Sequence, residues 1–173
     1  MKNIIKVIII LSILLVCSLS LASYITKETN FKYETGLKIT EDNQIIENLI
    51  FVDIPIGIVI WSSDNLIINC TFVNCSDEGI MLFGNNNTIE NCVFYKCVDG
   101  VELQKSSDNL FINCRFLSNT HAGIDVIKNN NNNNIFYSCL FYENYYGCFF
   151  KESEDNEFID CVFLDNKIDM GGK

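Results

Sequence analysis

With 173 residues the chain has room for about one domain. Its 22 Asp and Glu outnumber 12 Lys and Arg, giving a formal charge of −10. A surface that acidic repels phosphate backbones and anionic headgroups, which argues against nucleic-acid binding and against docking to anionic lipid.

At the N-terminus, Lys2 and Lys6 precede an apolar run, Val7 to Leu21, that closes on Ser20-Leu21-Ala22. A basic start, an apolar middle and small residues at the end describe an export signal. Taken from Ile4 to Ile25, the same stretch has the roughly 20 residues that cross a bilayer, so an uncleaved membrane anchor is the competing reading. Both predict an extracellular or cell-surface location for the remainder, which touches the membrane only through this segment if it stays attached. Cys17 follows Val16 rather than a small residue and makes a poor lipid-attachment site. Without residues 1–22, ten Lys and Arg face 22 Asp and Glu, and the charge falls to −12.

Residues 23–35 are polar and alternating, without repeat features, and are expected to cap the first rung of the repeat. From residue 65 one eight-residue phrase returns five times: NLIINCTF (65–72), NTIENCVF (87–94), NLFINCRF (109–116), NIFYSCLF (134–141) and NEFIDCVF (156–163), at steps of 22, 22, 25 and 22. A second element keeps phase with it: GLKI (36–39), GIVI (57–60), GIML (79–82), GVEL (100–103), GIDV (123–126) and GCFF (147–150). NQIIENLI (43–50), one 22-step before Asn65, reads as a degenerate first coil with Asn48 at the cysteine position.

A fixed period of this length signals a solenoid. Within each unit the apolar residues alternate with period two and nowhere show helical spacing, so each coil is read as three short strands bent at Asn and Gly corners. A leucine-rich repeat shares the length, but leucine does not dominate and no helical segment is present. The expected fold is all-β: a parallel β-helix over residues 36–173, of about six coils, with like residues stacked at the ~4.8 Å inter-strand spacing. Phe72, Phe94, Phe116, Phe141 and Phe163 should form one internal column, and Ile58, Ile80, Val101, Ile124 and Cys148 another. Asn69, Asn91 and Asn113 should occupy a tight, left-handed corner, giving way to Ser138 and Asp160. Burial of Asn69 there would leave Asn74 and Asn86 as the credible acceptors among three glycosylation sequons.

The NxxxNCxF phrase followed by a GIxL strand resembles the right-handed parallel β-helix repeat family, the pectin-lyase-like superfamily, over Gly36 to about Asp169. That resemblance implies a single-stranded right-handed β-helix. It is specific for fold and weak for activity, since the superfamily includes polysaccharide lyases and hydrolases, surface adhesins and a periplasmic copper-site assembly protein. The polygalacturonase-like pattern of NTD, paired Asp, GHG and RIK has no counterpart here: His121 stands in NTHAG, and Arg115 is the one arginine.

Glu102 and Asp125 fall at one outward position of consecutive coils, two carboxylates roughly 5 Å apart by stacking, compatible with acid and nucleophile roles at a glycosidic bond. Lys105, Lys128 and Lys151 recur at nearly one position per coil beyond them, and His121 lies in the turn before Gly123, which together sketch a groove for a sugar acid. Charges on an outward face are also what any acidic solenoid carries. Of the eight cysteines beyond the signal, Cys70, Cys92, Cys114, Cys139 and Cys161 point inward as small hydrophobes. Cys75 and Cys97, at a turn, are the best-placed disulfide pair. No metal site and no cofactor is expected from these spacings.

The leading functional expectation is therefore an exported β-helix protein without catalysis that binds extracellular polysaccharide or another surface protein. The alternatives are a polysaccharide-active enzyme using Glu102 and Asp125, and a metal-site assembly protein dependent on Cys75. The short tail after Phe163 leaves the last coil open, which predicts self-association through it.

Overall fold

The computed structural model describes residues 24–25, 35–127, 132–151 and 155–172. The signal or anchor expected at 1–22, most of the cap expected at 23–35, and Lys128 lie outside them. Among the described residues no helix is long and apolar enough to cross a membrane.

Every described element is a strand, and all pairings are parallel. The chain winds through three sheets in turn. The glycine sheet contains β2 (Thr35–Ile39), β5 (Ile56–Ile60), β8 (Glu78–Leu82), β11 (Asp99–Gln104), β14 (Ala122–Ile127), β17 (Tyr146–Lys151) and β20 (Ile168–Gly171). The asparagine sheet contains β3 (Ile45–Glu47), β6 (Leu66–Ile68), β9 (Thr88–Glu90), β12 (Leu110–Ile112), β15 (Ile135–Tyr137) and β18 (Glu157–Ile159). The phenylalanine sheet contains β1 (Tyr24–Ile25), β4 (Ile50–Val52), β7 (Thr71–Val73), β10 (Val93–Tyr95), β13 (Arg115–Leu117), β16 (Leu140–Tyr142) and β19 (Val162–Leu164). The result is a parallel β-helix with its core along the axis. The 25-residue step leaves the stack in phase, since Leu110 still pairs with Ile135.

The core follows from stacking. Phe72, Phe94, Phe116, Phe141 and Phe163 lie ring over ring at 4.8, 4.9, 4.8 and 4.5 Å. Each fully buried ring contributes roughly 1.5–3 kcal/mol of apolar burial. A second stack, Phe111, Phe136 and Phe158 at 4.8 and 4.6 Å, runs down the asparagine sheet. Cys70, Cys92, Cys114 and Cys139 are buried beside these columns as free thiols.

Three expectations require correction. The first coil is one residue shorter than the step expected from Asn43: Phe51, rather than Ile50, pairs with Phe72 and stacks on it at 5.0 Å. Leu49 therefore takes the cysteine position, and Asn48, with φ 58°, joins the left-handed corner. Asn69, Asn91, Asn113, Ser138 and Asp160 all adopt that corner (φ 50° to 54°), as the repeat implies, but Asn69 is exposed, so all three sequon asparagines face solvent. The disulfide expected at Cys75 and Cys97 is absent, and both are buried free thiols. Cys75 and Cys97 are equivalent residues of successive coils, about 4.8 Å apart by stacking, wider than the roughly 3.5–4.5 Å between Cβ atoms that a disulfide needs.

The buried asparagines are those that open each phrase. Asn65, Asn87, Asn109 and Asn134 are at most 2% exposed. The Oδ1 of each of Asn87, Asn109, Asn134 and Asn156 accepts the backbone N–H of its equivalent one coil earlier, at 2.8 to 3.0 Å. Asn119, Asn144 and Asn166 repeat the device at the opposite corner, each contact 3.0 Å. Two asparagine ladders thus satisfy the backbone donors that the corners would otherwise bury unpaired.

Candidate functional site

The glycines at the head of the glycine-sheet strands decide which side chains face outward. A Cβ on Gly100 would stand 2.7 Å from Phe116 Cδ1, and one on Gly123 2.9 Å from Phe141 Cδ1. Only glycine lets the backbone approach the phenylalanine stack this closely. Because each glycine faces the core and so does the residue after it, the residues flanking this pair both face out. Glu78 and Met81, Asp99 and Glu102, and Ala122 and Asp125 thus share the outer face of β8, β11 and β14, with Glu78 paired to Asp99 and Glu102 to Asp125.

His121 joins them through an irregularity in the turn. Tyr95 pairs with Leu117, whereas Asp99 pairs with Ala122. The corner into β14 (118–121) is thus one residue longer than the corner into β11 (96–98). This extra length carries the imidazole over Asp99: His121 Nδ1 lies 2.8 Å from Asp99 Oδ1 and 3.7 Å from Asp125 Oδ2. Asp99 Oδ1 also accepts the Ala122 N–H at 2.8 Å. Tyr146 and Phe149 of the next coil flank the ring at 5.6 and 5.4 Å between centroids.

The carboxylates are far from ordinary surface acids. Glu78, Asp99, Glu102 and Asp125 are only 4 to 6% exposed, and among the described residues no lysine or arginine pairs with them. Desolvation pushes Glu78 up to about 9, with Asp77 and Glu102 adding repulsion. Asp125 rises to about 7 through burial and the nearby Asp99. Burial also raises Asp99, against the pull of His121, and Glu102, against a hydrogen bond donated by Gln104. Glu78 Oε2 and Asp125 Oδ1 are buried without a hydrogen-bond partner.

Aromatic side chains border this acidic centre on two sides. Trp61 and Phe83, just past β5 and β8, stack face to face at 3.8 Å, and Trp61 is 52% exposed. Leu82 pairs with Leu103, so Gln104 succeeds Phe83 in the next coil and the aromatic pair is contiguous with the Glu102 neighbourhood. Tyr145, Tyr146 and Phe149 form the second border, with centroid spacings of 4.8 Å.

Of the residues singled out in the sequence, Glu102, Asp125 and His121 converge. Lys105 and Lys151 are exposed at the strand ends, and Lys151 is paired with Ile127, so the expected lysine column is not continuous through that step. Cys75 and Cys97 are buried in the core rather than at this face. Asp99, Glu78, Trp61 and the Tyr146–Phe149 pair escaped notice because the residue type at each of their outward positions changes from coil to coil. The one available signal was the lengthened step from Gly100 to Gly123 that marks the longer corner.

No curated protein matches the sequence. Among solved structures, similarity extends to a tailspike protein from the Acinetobacter baumannii bacteriophage Fri1, a capsular polysaccharide depolymerase, at 18% identity and TM-score 0.64 over 82% of this chain and 33% of that one. A periplasmic alginate epimerase aligns at 13% identity and TM-score 0.52 over 80% of this chain and 36% of the other. The A-module of an Azotobacter vinelandii mannuronan C-5 epimerase aligns at 11% identity and TM-score 0.52 over 82% of this chain and 53% of the other. The chain spans about a third to a half of those structures, and at these identities the likeness is one of fold. The sequence also matches the right handed beta helix region over residues 35–172, so the chain belongs to the right-handed parallel β-helix family.

Proposed function

We propose that the protein is an exported β-helix protein that binds a polysaccharide along the outer face of β5, β8, β11, β14 and β17. One observation carries the reading: a buried acidic centre lies between two aromatic borders on one sheet face. Phe83 and Phe149 are three coils apart, about 14 Å at the inter-strand spacing. Aromatic rings stack on the apolar faces of sugar rings, while a few placed polar groups fix orientation. The net charge of −10, with the lysines displaced to the strand ends, favours neutral over polyuronate chains, because like charge repels an acidic glycan. Proteins of the same fold that act on capsular polysaccharide and alginate support carbohydrate as the ligand class. Export rests on the apolar segment within residues 1–22.

Trp61 is the one tryptophan of the chain, so its fluorescence reports on this face alone. A neutral glycan from a panel should shift that emission, and Trp61→Ala should weaken binding about tenfold by calorimetry, a loss of about 1.4 kcal/mol. A panel of neutral and acidic glycans that leaves both the emission and the calorimeter unmoved would end the proposal.

The pairing of Glu102 with Asp125 favours a second reading, cleavage of the bound chain. Reducing-sugar release or unsaturated-product absorbance that disappears in Glu102→Gln would establish it.

A further inference from the structure

Asp99, His121 and Asp125 each offer one ligand atom, and the three atoms lie within 4.8 Å of one another. An acidic cluster of this kind is common without an ion, but here a second feature points to one. Asp125 is 6% exposed, its Oδ2 turns toward the imidazole, and its Oδ1 is buried with no hydrogen-bond donor. Leaving a buried carboxylate oxygen unpaired is costly. Glu102 and Glu78 lie on the same face as further carboxyl groups, with no lysine or arginine among the described residues paired to any of the four.

We propose that Asp99, His121 and Asp125 form a binding site for a divalent transition-metal ion of the Zn²⁺ or Mn²⁺ class. The donor set favours that class over Ca²⁺, since calcium sites are built from oxygen ligands alone and imidazole suits transition metals. The geometry is close to what binding requires. With metal–ligand distances of about 2.0–2.2 Å, donors at tetrahedral corners stand about 3.3–3.6 Å apart. The 3.7 Å between His121 Nδ1 and Asp125 Oδ2 nearly meets this, and the 2.8 Å hydrogen bond to Asp99 has to open by about half an ångström.

The supporting contacts are already in place. The Ala122 N–H holds Asp99 Oδ1, and Tyr146 and Phe149 fix the plane of the imidazole, so ligand orientation does not depend on the ion arriving. The His121 side chain is 37% exposed, which gives an ion a route in from solvent, whereas both carboxylates are shielded at 8%. Three protein ligands leave a coordination position open toward the outer face. That position lies beside the surface assigned to polysaccharide, but metal binding does not require the carbohydrate reading to hold.

The test is calorimetric titration of the chelator-treated full chain with Zn²⁺, Mn²⁺, Co²⁺ and Ca²⁺ in turn, together with the visible spectrum of the Co²⁺ form. One ion per chain is expected, bound more tightly for Zn²⁺ or Mn²⁺ than for Ca²⁺. His121→Gln and Asp125→Asn should each weaken binding at least tenfold and alter the Co²⁺ bands, while circular dichroism shows the β-helix intact. Cys161→Ser, at the one thiol among the described residues that is not fully buried, should leave the isotherm unchanged. Absence of binding, preference for Ca²⁺, retention of affinity in both ligand variants, or loss in Cys161→Ser would each overturn the assignment. No glycan enters the experiment, so its failure is separable from failure of the polysaccharide reading.

Discussion

The inner columns of this solenoid and the outer column of its glycine sheet are built from the same strands and behave oppositely. Inward, phenylalanine lies on phenylalanine from Phe51 to Phe163 and asparagine on asparagine from Asn65 to Asn156. Outward, the equivalent residues of successive coils are Lys38, Val59, Met81, Glu102, Asp125 and Phe149, changing character at nearly every step. Uniform columns answer a demand that every coil shares, namely a dry core and satisfied corner amides. A column that changes residue by residue is free of that demand, and in this chain it is where charge and aromatic surface meet.

If this contrast is sound, damage inside should be expensive. Phe116→Ala opens a void between two stacked neighbours and should lower unfolding free energy by about 3–5 kcal/mol in a denaturant titration. A loss below about 1 kcal/mol would mean that the stack is not the principal stabiliser.

Change outside should run the other way. Glu78 is held up at about 9 against an ordinary value of 4.5, chiefly by burial. Below the unfolded value both states hold the proton. Between about 4.5 and 9 the unfolded chain has released its proton while the folded chain retains it, so stability falls as pH rises through that window. Glu78→Gln removes this slope. The variant should match the parent near pH 4 and exceed it by on the order of 1–3 kcal/mol at pH 7, measured by denaturation at both pH values. A variant less stable than the parent at pH 7 would place Glu78 among the structural residues instead.

The smallest effect belongs to the corners. Asn69 is exposed at φ 54°, where its contribution is mainly conformational. Asn69→Gly should leave the melting temperature nearly unchanged, and Asn69→Ala should cost about 1 kcal/mol for the left-handed backbone. Equal losses in both would show that the side chain, rather than the torsion, matters there.

The strand order, the phenylalanine column and the outward pairing of Glu102 with Asp125 were legible because each recurs at a fixed step, and recurrence survives a reading in one dimension. What was not legible depends on offsets of a single residue. The first coil was read one step out because Asn43 imitates Asn65, whereas Gln44 is the residue whose backbone N–H bonds Asn65 Oδ1. The first three phrases each offer two asparagines, and only the three-dimensional stack shows that the first is the buried ladder and the second the left-handed corner. Asp99 and His121 occupy unlike positions of adjacent coils, one in a strand and the other in a corner, so no pattern of spacing joins them.

The longer corner before β14 also bears on how such a chain acquires new surfaces. One additional residue there leaves Ala122 and Ile124 in phase with Asp99 and Val101 and adds an imidazole to the outer face. In a wound architecture, therefore, a deletion or duplication of one codon at a bend can remodel the exterior while the interior is inherited intact. Removing Thr120 from this bend reverses that event in the laboratory, and it should withdraw the histidine from its acidic neighbours without unwinding the coil.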